Sequence, residues 1–338
     1  MTAASATPAP GPATSFKAAK ILITGGFGLI GSALTRRLVA AGSQVRVLDN
    51  LDPDSGANRT NLEGLEGKFE AVIADIRDAD AVRRALLARD VLFNLAAQSS
   101  HLGSMQAPLV DLDVNVRAQL ALLESARAVN PGLRIVYAST RQIYGKPDYL
   151  PVDERHPLRP IDVNGIDKLA GEAFHLLYHR VHGLRTTALR LTNTYGPGMR
   201  IRDARQTFVG VWLRAVLEGR PFELWGGGQK RDFTYVEDAA DAFLLAAATP
   251  ATEGGVYNIG GEGALTLKDV AEALVAANGG GGFVMREFPA ERKAIDIGDY
   301  WADDTTFRRA TGWQPRVGIR AGLEQSLEFF RTRLANYV

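Results

Sequence analysis

The chain has 338 residues, 46% of them hydrophobic and 23% charged, with 39 basic side chains against 38 acidic ones and no cysteine. That length suits one large domain or two modest ones and buries an ample core without disulfide or metal staples. The missing cysteine excludes thiolate metal sites, iron–sulfur clusters and a cysteine nucleophile, and a net charge of +1 argues against a nucleic-acid partner.

Residues 1–17 are small and Pro-rich at their start, which predicts a disordered tail rather than a signal peptide. No apolar run approaches the ~20 residues of a membrane span, so no membrane partner and a cytoplasmic location are expected. No metal site is expected either. Order should begin at Lys20 with the apolar run KILIT, a strand, followed by an amphipathic helix to Ala41 and a second strand, QVRVLD. Further strand-length apolar runs lie at 69–73, 91–95, 134–138, 185–191 and 256–259, with helix-length patterns at 79–88, 109–129 and 164–182 between them. This alternation predicts an α/β fold: a Rossmann-type, doubly wound parallel sheet with ligands at the carboxyl ends of its strands. Past residue 193 the elements shorten and glycines accumulate. The expected division is therefore a dinucleotide-binding domain over 18–190 and a smaller substrate domain over 191–338, with segments such as 233–249 returning to the sheet.

The strongest motif is TGGFGLIG at 24–31, placed between a strand and a helix. Gly25 permits the tight turn, Gly28 lets backbone approach a pyrophosphate, and Gly31 packs helix against strand, while the amides near Leu29 and Ile30 face the phosphates. Asp49 ends the next strand 18 residues after Gly31, where a carboxylate accepts from an adenosine ribose. No basic residue follows it until Arg59, so the cofactor read here is NAD rather than NADP. Asp75, closing the third strand, suits an adenine edge, the alternative being a helix N-cap before Ala79.

In chain order, TGGFGLIG, ADIRD, NLAAQ, DLDVNVRAQLALLE, YASTRQIYG, DKLAGE, LRLTNTYGPG and RDFTYVEDAADA resemble the extended short-chain dehydrogenase/reductases of the NAD-dependent epimerase/dehydratase family. The resemblance spans roughly residues 20–330. It implies a Rossmann domain holding NAD, with Ile76 and Ala96 among the cofactor contacts. It also implies a smaller domain holding a nucleotide-sugar and a homodimer formed through helices 109–129 and 164–182.

The family's chemistry uses a tyrosine one helical turn before a lysine, with a serine or threonine nearby. Lys168 and Thr140 match, but the tyrosine position holds Asn164, which cannot act as a base. None of the eight lysines has a tyrosine four residues earlier. Where related 4,6-dehydratases carry Asp-Glu, this chain has Arg141 and Gln142. Arg141 could hold a carboxylate or phosphate on the sugar, or pair at the surface with Asp153 or Glu154. Replacement bases to be weighed are Tyr144, Asp162, Asp167, His101 and Lys168 itself; of these Tyr144 belongs to a segment that usually packs. Asn193 matches a nucleotide-sugar contact and Arg231 a diphosphate-gripping arginine, with Arg292 a second phosphate candidate.

The expected activity is an NAD-dependent nucleotide-sugar epimerase, C4 first and C2 second, working by transient hydride transfer with a non-standard base. The alternatives are a dehydratase or reductase with a relocated base, and a catalytically silent protein that binds NAD or a nucleotide-sugar. Overall neutrality hides a local excess: between Arg180 and Arg231 there are ten basic and three acidic residues.

Overall fold

Short apolar runs that end in polar turns, each followed by an amphipathic stretch, can bury both faces only by pairing in parallel under helices. The computed structural model describes residues 12–205, 207–289 and 296–338. In it, β1 (Lys20–Thr24), β2 (Gln44–Asp49), β3 (Glu70–Ile73), β4 (Val91–Asn94), β5 (Arg134–Thr140) and β6 (Arg185–Leu191) alternate with helices. The chain leaves the sheet after β6 through β7 (Asn193–Tyr195), β8 (Phe222–Trp225), β9 (Lys230–Arg231) and β10 (Phe233–Tyr235), and returns as β11 (Val256–Ile259). The large sheet has the order β11-β6-β5-β4-β1-β2-β3, and every pairing is parallel.

Side chains alternate along β1 as a strand requires. Ile21 and Ile23 face a core shared with α1 (Leu29–Ala40) and, further along the chain, Phe243 and Leu244, while Leu22 faces a second core. That second core takes Val82 and Leu86 from α2 (Ala79–Leu86) and continues into Leu122 and Leu123. The central β4 is buried at all four positions. Strand order reverses between β1 and β4, so the carboxyl ends Thr24 and Asn94, which are register partners, open a crevice for a ligand.

The pattern read as one helix over 109–129 is three pieces. These are α4 (Pro108–Leu112), after the short α3 (His101–Gln106), then a π-helical turn (Asp113–Arg117) and α5 (Ala118–Val129). The wider turn aims Asn115 inward, where its amide donates to Asp111 Oδ1 at 2.8 Å and to the Gln98 carbonyl at 2.9 Å. Next comes the long α6 (Val163–His182), capped by the Asp162 carboxylate on Gly165 N at 2.6 Å and closed by Gly183 in the left-handed conformation at φ 72°. Beyond β6 lie α7 (Phe208–Leu217), α8 (Val236–Ala248), which packs back on the sheet beside α1, and α9 (Leu267–Asn278).

The expected tail of 1–17 is corrected in its last part. Pro12–Phe16 forms a turn of 3-10 helix whose Phe16 ring, 4% exposed, meets Phe93 edge-on, and Ser43 Oγ donates to the Phe16 carbonyl at 2.8 Å. A single aromatic ring with a slot in the core outweighs the surrounding small residues. The rest of the expected tail, residues 1–11, lies outside the described residues.

Candidate active site

A cavity of about 320 Å³ runs across the strand ends, lined at one end by Gly25, Gly28, Leu29, Ile30, Gly31, Asp49, Asp75, Ile76 and Ala96. Its other end is lined by His101, Thr140, Arg141, Gln142, Asn164, Lys168 and Asn193. At the first end the glycines are dictated by space. A Cβ on Gly31 would sit 2.2 Å from the Gly25 carbonyl oxygen, and Gly25 itself, at φ +71°, would meet the Ala96 amide nitrogen at 3.0 Å. Gly26 was not singled out in the sequence, yet its Cβ would lie 2.5 Å from Val47. Gly28 precedes α1 as its N-cap without a side chain, leaving the first helical amides turned toward the crevice.

Asp49 pins this loop from below. Its carboxylate accepts from Phe27 N at 2.9 Å and Leu51 N at 2.8 Å, and burial pushes its pKa up against those bonds. Asp75 is clamped by Arg77 through Nε at 2.8 Å and Nη2 at 2.9 Å, with Asn50 Nδ2 donating at 2.8 Å. The Arg77 hydrogen bonds hold its carboxyl at about 2. The N-cap before Ala79 is Asp78, so that alternative for Asp75 is excluded. A loop that only glycine can form, helix amides and a fixed carboxylate fit an adenine dinucleotide.

The other end departs from the family pattern in its contacts as well as its residues. Lys168 is buried, donates to the Ala138 carbonyl and lies 4.4 Å from the Tyr137 ring centroid; burial lowers its pKa to about 8. Asn164, 3% exposed, donates through Nδ2 to the Gln98 carbonyl at 2.9 Å and to Asp111 Oδ2 at 3.2 Å. Asp111 is fully buried and faces Asp167; burial, and then the neighbouring Asp111 carboxyl, raise Asp167 to about 7. Neither of these two carboxyls lines the cavity. Thr140 Oγ1 accepts from Gln142 N at 3.2 Å while still facing the cavity, so it caps the strand end and leaves its hydroxyl hydrogen to donate. Gln142 Nε2 donates to Asp162 Oδ2 at 3.0 Å, and His101 Nδ1 lies 2.9 Å from the same oxygen. Burial pushes the Asp162 carboxyl up, but His101, Gly165 N and Gln142 together bring it below its ordinary value.

Tyr144 is not in the cavity. It is fully buried, donates to Asn258 Oδ1 at 2.7 Å and accepts from Arg190 at 2.6 Å, and burial raises its phenol to about 12. Packing is its role, together with the buried Arg190–Glu172 pair, which closes at 2.6 Å. Arg141 pairs with neither surface acid considered for it: its Nη2 donates to Asn193 Oδ1 at 3.0 Å, its ring neighbour is Tyr300 at 5.3 Å, and its buried Nη1 has no partner among the described residues. Arg231 lies outside the cavity lining, with Nη2 on Asp296 at 2.8 Å and Nη1 on the Gly298 carbonyl. Arg292 lies outside the described residues. Within the basic stretch between Arg180 and Arg231, several arginines are matched by acids: Arg185 with Glu253, Arg190 with Glu172, Arg205 with Asp54 and Arg214 with Glu218.

Sequence reasoning missed a buried network under the crevice. Thr24 Oγ1 donates to Asn94 Oδ1 at 2.9 Å and accepts from the amides of Leu95 and Ala96, while Asn94 Nδ2 donates to Gln119 Oε1 at 2.7 Å. Thr24, Asn94, Gln98, Asp111 and Gln119 all sit inside the motif strings quoted above. Only their pairing across the fold shows what they do.

A parallel sheet with a phosphate-type glycine loop at its switch point, opening onto a buried lysine and a half-buried threonine, defines a dinucleotide-dependent α/β enzyme. Residues 21–260 match the model of the NAD dependent epimerase/dehydratase family. The chain belongs to that family, and its cofactor is NAD. It is 33% identical over 318 residues to a UDP-glucose 4-epimerase of Mycolicibacterium smegmatis, covering 93% of this chain and 99% of that one. Among solved structures it resembles an epimerase of the methanogen Methanothermobacter thermautotrophicus, with TM-score 0.89, 26% identity and coverage of 96% and 95%. A Thermus thermophilus UDP-glucose 4-epimerase in complex with NAD superposes with TM-score 0.82 at 31% identity, covering 93% and 99%.

Proposed function

We propose that this protein epimerises the hexose of a nucleotide-sugar, at C4 in the first instance and C2 as the second position. The observation carrying the reading is that one cavity joins the glycine loop and Asp49 to Lys168, Thr140, Arg141 and Asn193. NAD, when bound, supplies a hydride acceptor that returns the hydride to the same carbon. Lys168, held by the Ala138 carbonyl and the Tyr137 face, would give its remaining N–H donors to the nicotinamide ribose. Thr140 donates to a sugar hydroxyl or carbonyl. Arg141, with a buried unpartnered Nη1, is the group for a negatively charged or strongly accepting sugar substituent. Ordinary 4,6-dehydration is disfavoured because Gln142 replaces an acidic residue and spends its amide on Asp162.

The test is incubation of the purified chain with UDP-, GDP-, CDP- and dTDP-hexoses while the C4–H and C2–H signals are followed by NMR. Inversion or exchange at one of these carbons is expected, and silence with all of them overturns the reading.

A homodimer through the helical stretches 109–129 (α4 to α5) and 164–182 (α6) forms part of this reading. Leu109 is 73% exposed, Ile166 53% and Val181 60%, and the last two, with Leu177, recur on one face of α6. Light scattering should give twice the 36.5 kDa chain mass, and Leu109→Asp with Val181→Asp should return it to one.

A further inference from the structure

We propose that His101 is the proton acceptor of this active site, in place of the family tyrosine, with Asp162 and Gln142 as its positioning residues. The inference rests on the epimerase reading above and deepens it. Among the described cavity-lining residues the titratable groups are few. Asp49, Asp52, Asp75 and Arg77 belong to the nucleotide end, Lys168 is assigned to the nicotinamide ribose, and Arg141 stays charged. His101 remains, at the first position of α3, with its side chain 36% exposed toward the cavity.

The carboxylate beside it is built, not incidental. Nδ1 lies 2.9 Å from Asp162 Oδ2, and that carboxylate is itself held by Gln142 Nε2 at 3.0 Å and Gly165 N at 2.6 Å, with its own side chain fully covered. As it stands the Nδ1 contact lies outside hydrogen-bond geometry and leaves the buried Nδ1 without a hydrogen-bond partner; a turn of the ring that closes Nδ1–H on Asp162 selects the tautomer whose Nε2 is free to accept. Gln142 and Asn164 are two places where the chain departs from the family pattern. One now supports Asp162; the other, turned onto Gln98 and Asp111, leaves the space beside Lys168 without a phenol.

In the step itself the O–H bond of the sugar hydroxyl breaks and its proton passes to Nε2. NAD, when bound, would take the electron pair of the C–H bond on the same carbon as hydride while the C–O bond becomes C=O. The returned hydride would add to the opposite face of the carbonyl carbon and Nε2–H would give the proton back, so proton and electrons balance over the cycle.

The test uses the full chain, wild type, His101→Gln and Asp162→Asn, on whichever sugar of the panel turns over. His101→Gln should lower kcat by roughly 10²–10⁴-fold, with calorimetric Kd for that nucleotide-sugar within about threefold of wild type. Asp162→Asn keeps the helix cap and should lower kcat by about tenfold or more. Ring ¹H–¹⁵N correlation spectra should show the Nδ1–H tautomer at His101 in wild type and a mixture in Asp162→Asn, a change that a merely structural role for Asp162 would not produce. An Nε2–H tautomer in wild type, or His101→Gln turning over at the wild-type rate, overturns the assignment alone. A wild-type chain silent toward every sugar overturns the epimerase reading, and the base assignment falls with it.

Discussion

The two ends of the cavity are held by different physics. At the nucleotide end the restraints are backbone: a Cβ on Gly25 or Gly31 would collide with main-chain atoms, and a charged pair, Asp75 with Arg77, is locked with the carboxyl at about 2. At the sugar end the restraints are side chains turned on one another: Asn164 on Asp111, Gln142 on Asp162, Arg141 on Asn193. Beneath that end burial and the Asp111 carboxyl raise Asp167 to about 7, and burial lowers Lys168 to about 8. A binding end fixed in shape and charge is joined to a reacting end whose protons can move.

If side-chain pairing holds the sugar end, cutting its deepest pair should do the most damage. Glu172 takes Arg190 through two oxygens, at 2.6 and 3.0 Å, and Ser139 Oγ at 2.6 Å, all buried beneath the cavity. Glu172→Gln leaves a buried guanidinium without its counter-charge. Stability in urea should fall by about 3–5 kcal/mol, and a fall under ~1 kcal/mol would mean that packing alone carries this floor.

The nucleotide end is probed by Gly31→Val. The obstacles to its Cβ are main-chain atoms, the Gly25 oxygen at 2.2 Å and Gly26 Cα at 2.7 Å, which cannot rotate aside as a side chain would. NAD affinity by calorimetry should weaken at least ~100-fold, about 2.7 kcal/mol, while the far end keeps its His101 ring spectrum. Retained NAD binding would show the loop to be more compliant than its spacing implies.

This asymmetry also decides what could be read in the sequence. Glycine spacing states a backbone geometry directly, so Gly25, Gly28, Gly31, Asp49 and the sheet that presents them were legible before any coordinates. The gap at Asn164 was legible too, as a residue that cannot titrate. Its consequence was not. Asn164 meets Asp111 across 53 positions, and Gln142 meets Asp162 across 20, so no local period encodes either pair. Arg231 shows the converse: its motif matched, yet the fold spends its guanidinium on Asp296 and the Gly298 carbonyl. The π-helical turn broke a helix that periodicity drew as continuous, because the inward pull is on Asn115, a polar residue in an apolar pattern.

Restoring the family residue sharpens the comparison further. Asn164→Tyr removes the donor to Gln98 and Asp111 and forces a larger ring into a position now 3% exposed. Destabilisation of about 1–3 kcal/mol is expected, with no gain in turnover, since the proton acceptor stands elsewhere. A variant faster than wild type would argue that the chain had lost its base and not moved it.

The smallest effect lies in the Asp111–Asp167 pair, and its sign with pH separates poised groups from locked ones. Burial and the Asp111 carboxyl raise Asp167 in the folded chain to about 7 from an ordinary 3.8. Below the unfolded value both states carry the proton and nothing differs. Between that value and about 7 the unfolded chain releases its proton while the folded chain keeps it, so stability declines as pH rises and levels off once the folded carboxyl ionises. Asp167→Asn cannot ionise, so it puts a neutral amide where the wild-type carboxyl must lose a proton beside Asp111. Its stability relative to wild type should therefore be near level at pH 4 and greater at pH 8, by roughly 1–2 kcal/mol after discounting for solvent screening. Urea titrations at the two pH values measure this directly. Parallel curves for the two proteins would mean that Asp167 ionises as an ordinary carboxylate, and that the buried charge beneath Asn164 is balanced by Lys168 and not by a retained proton.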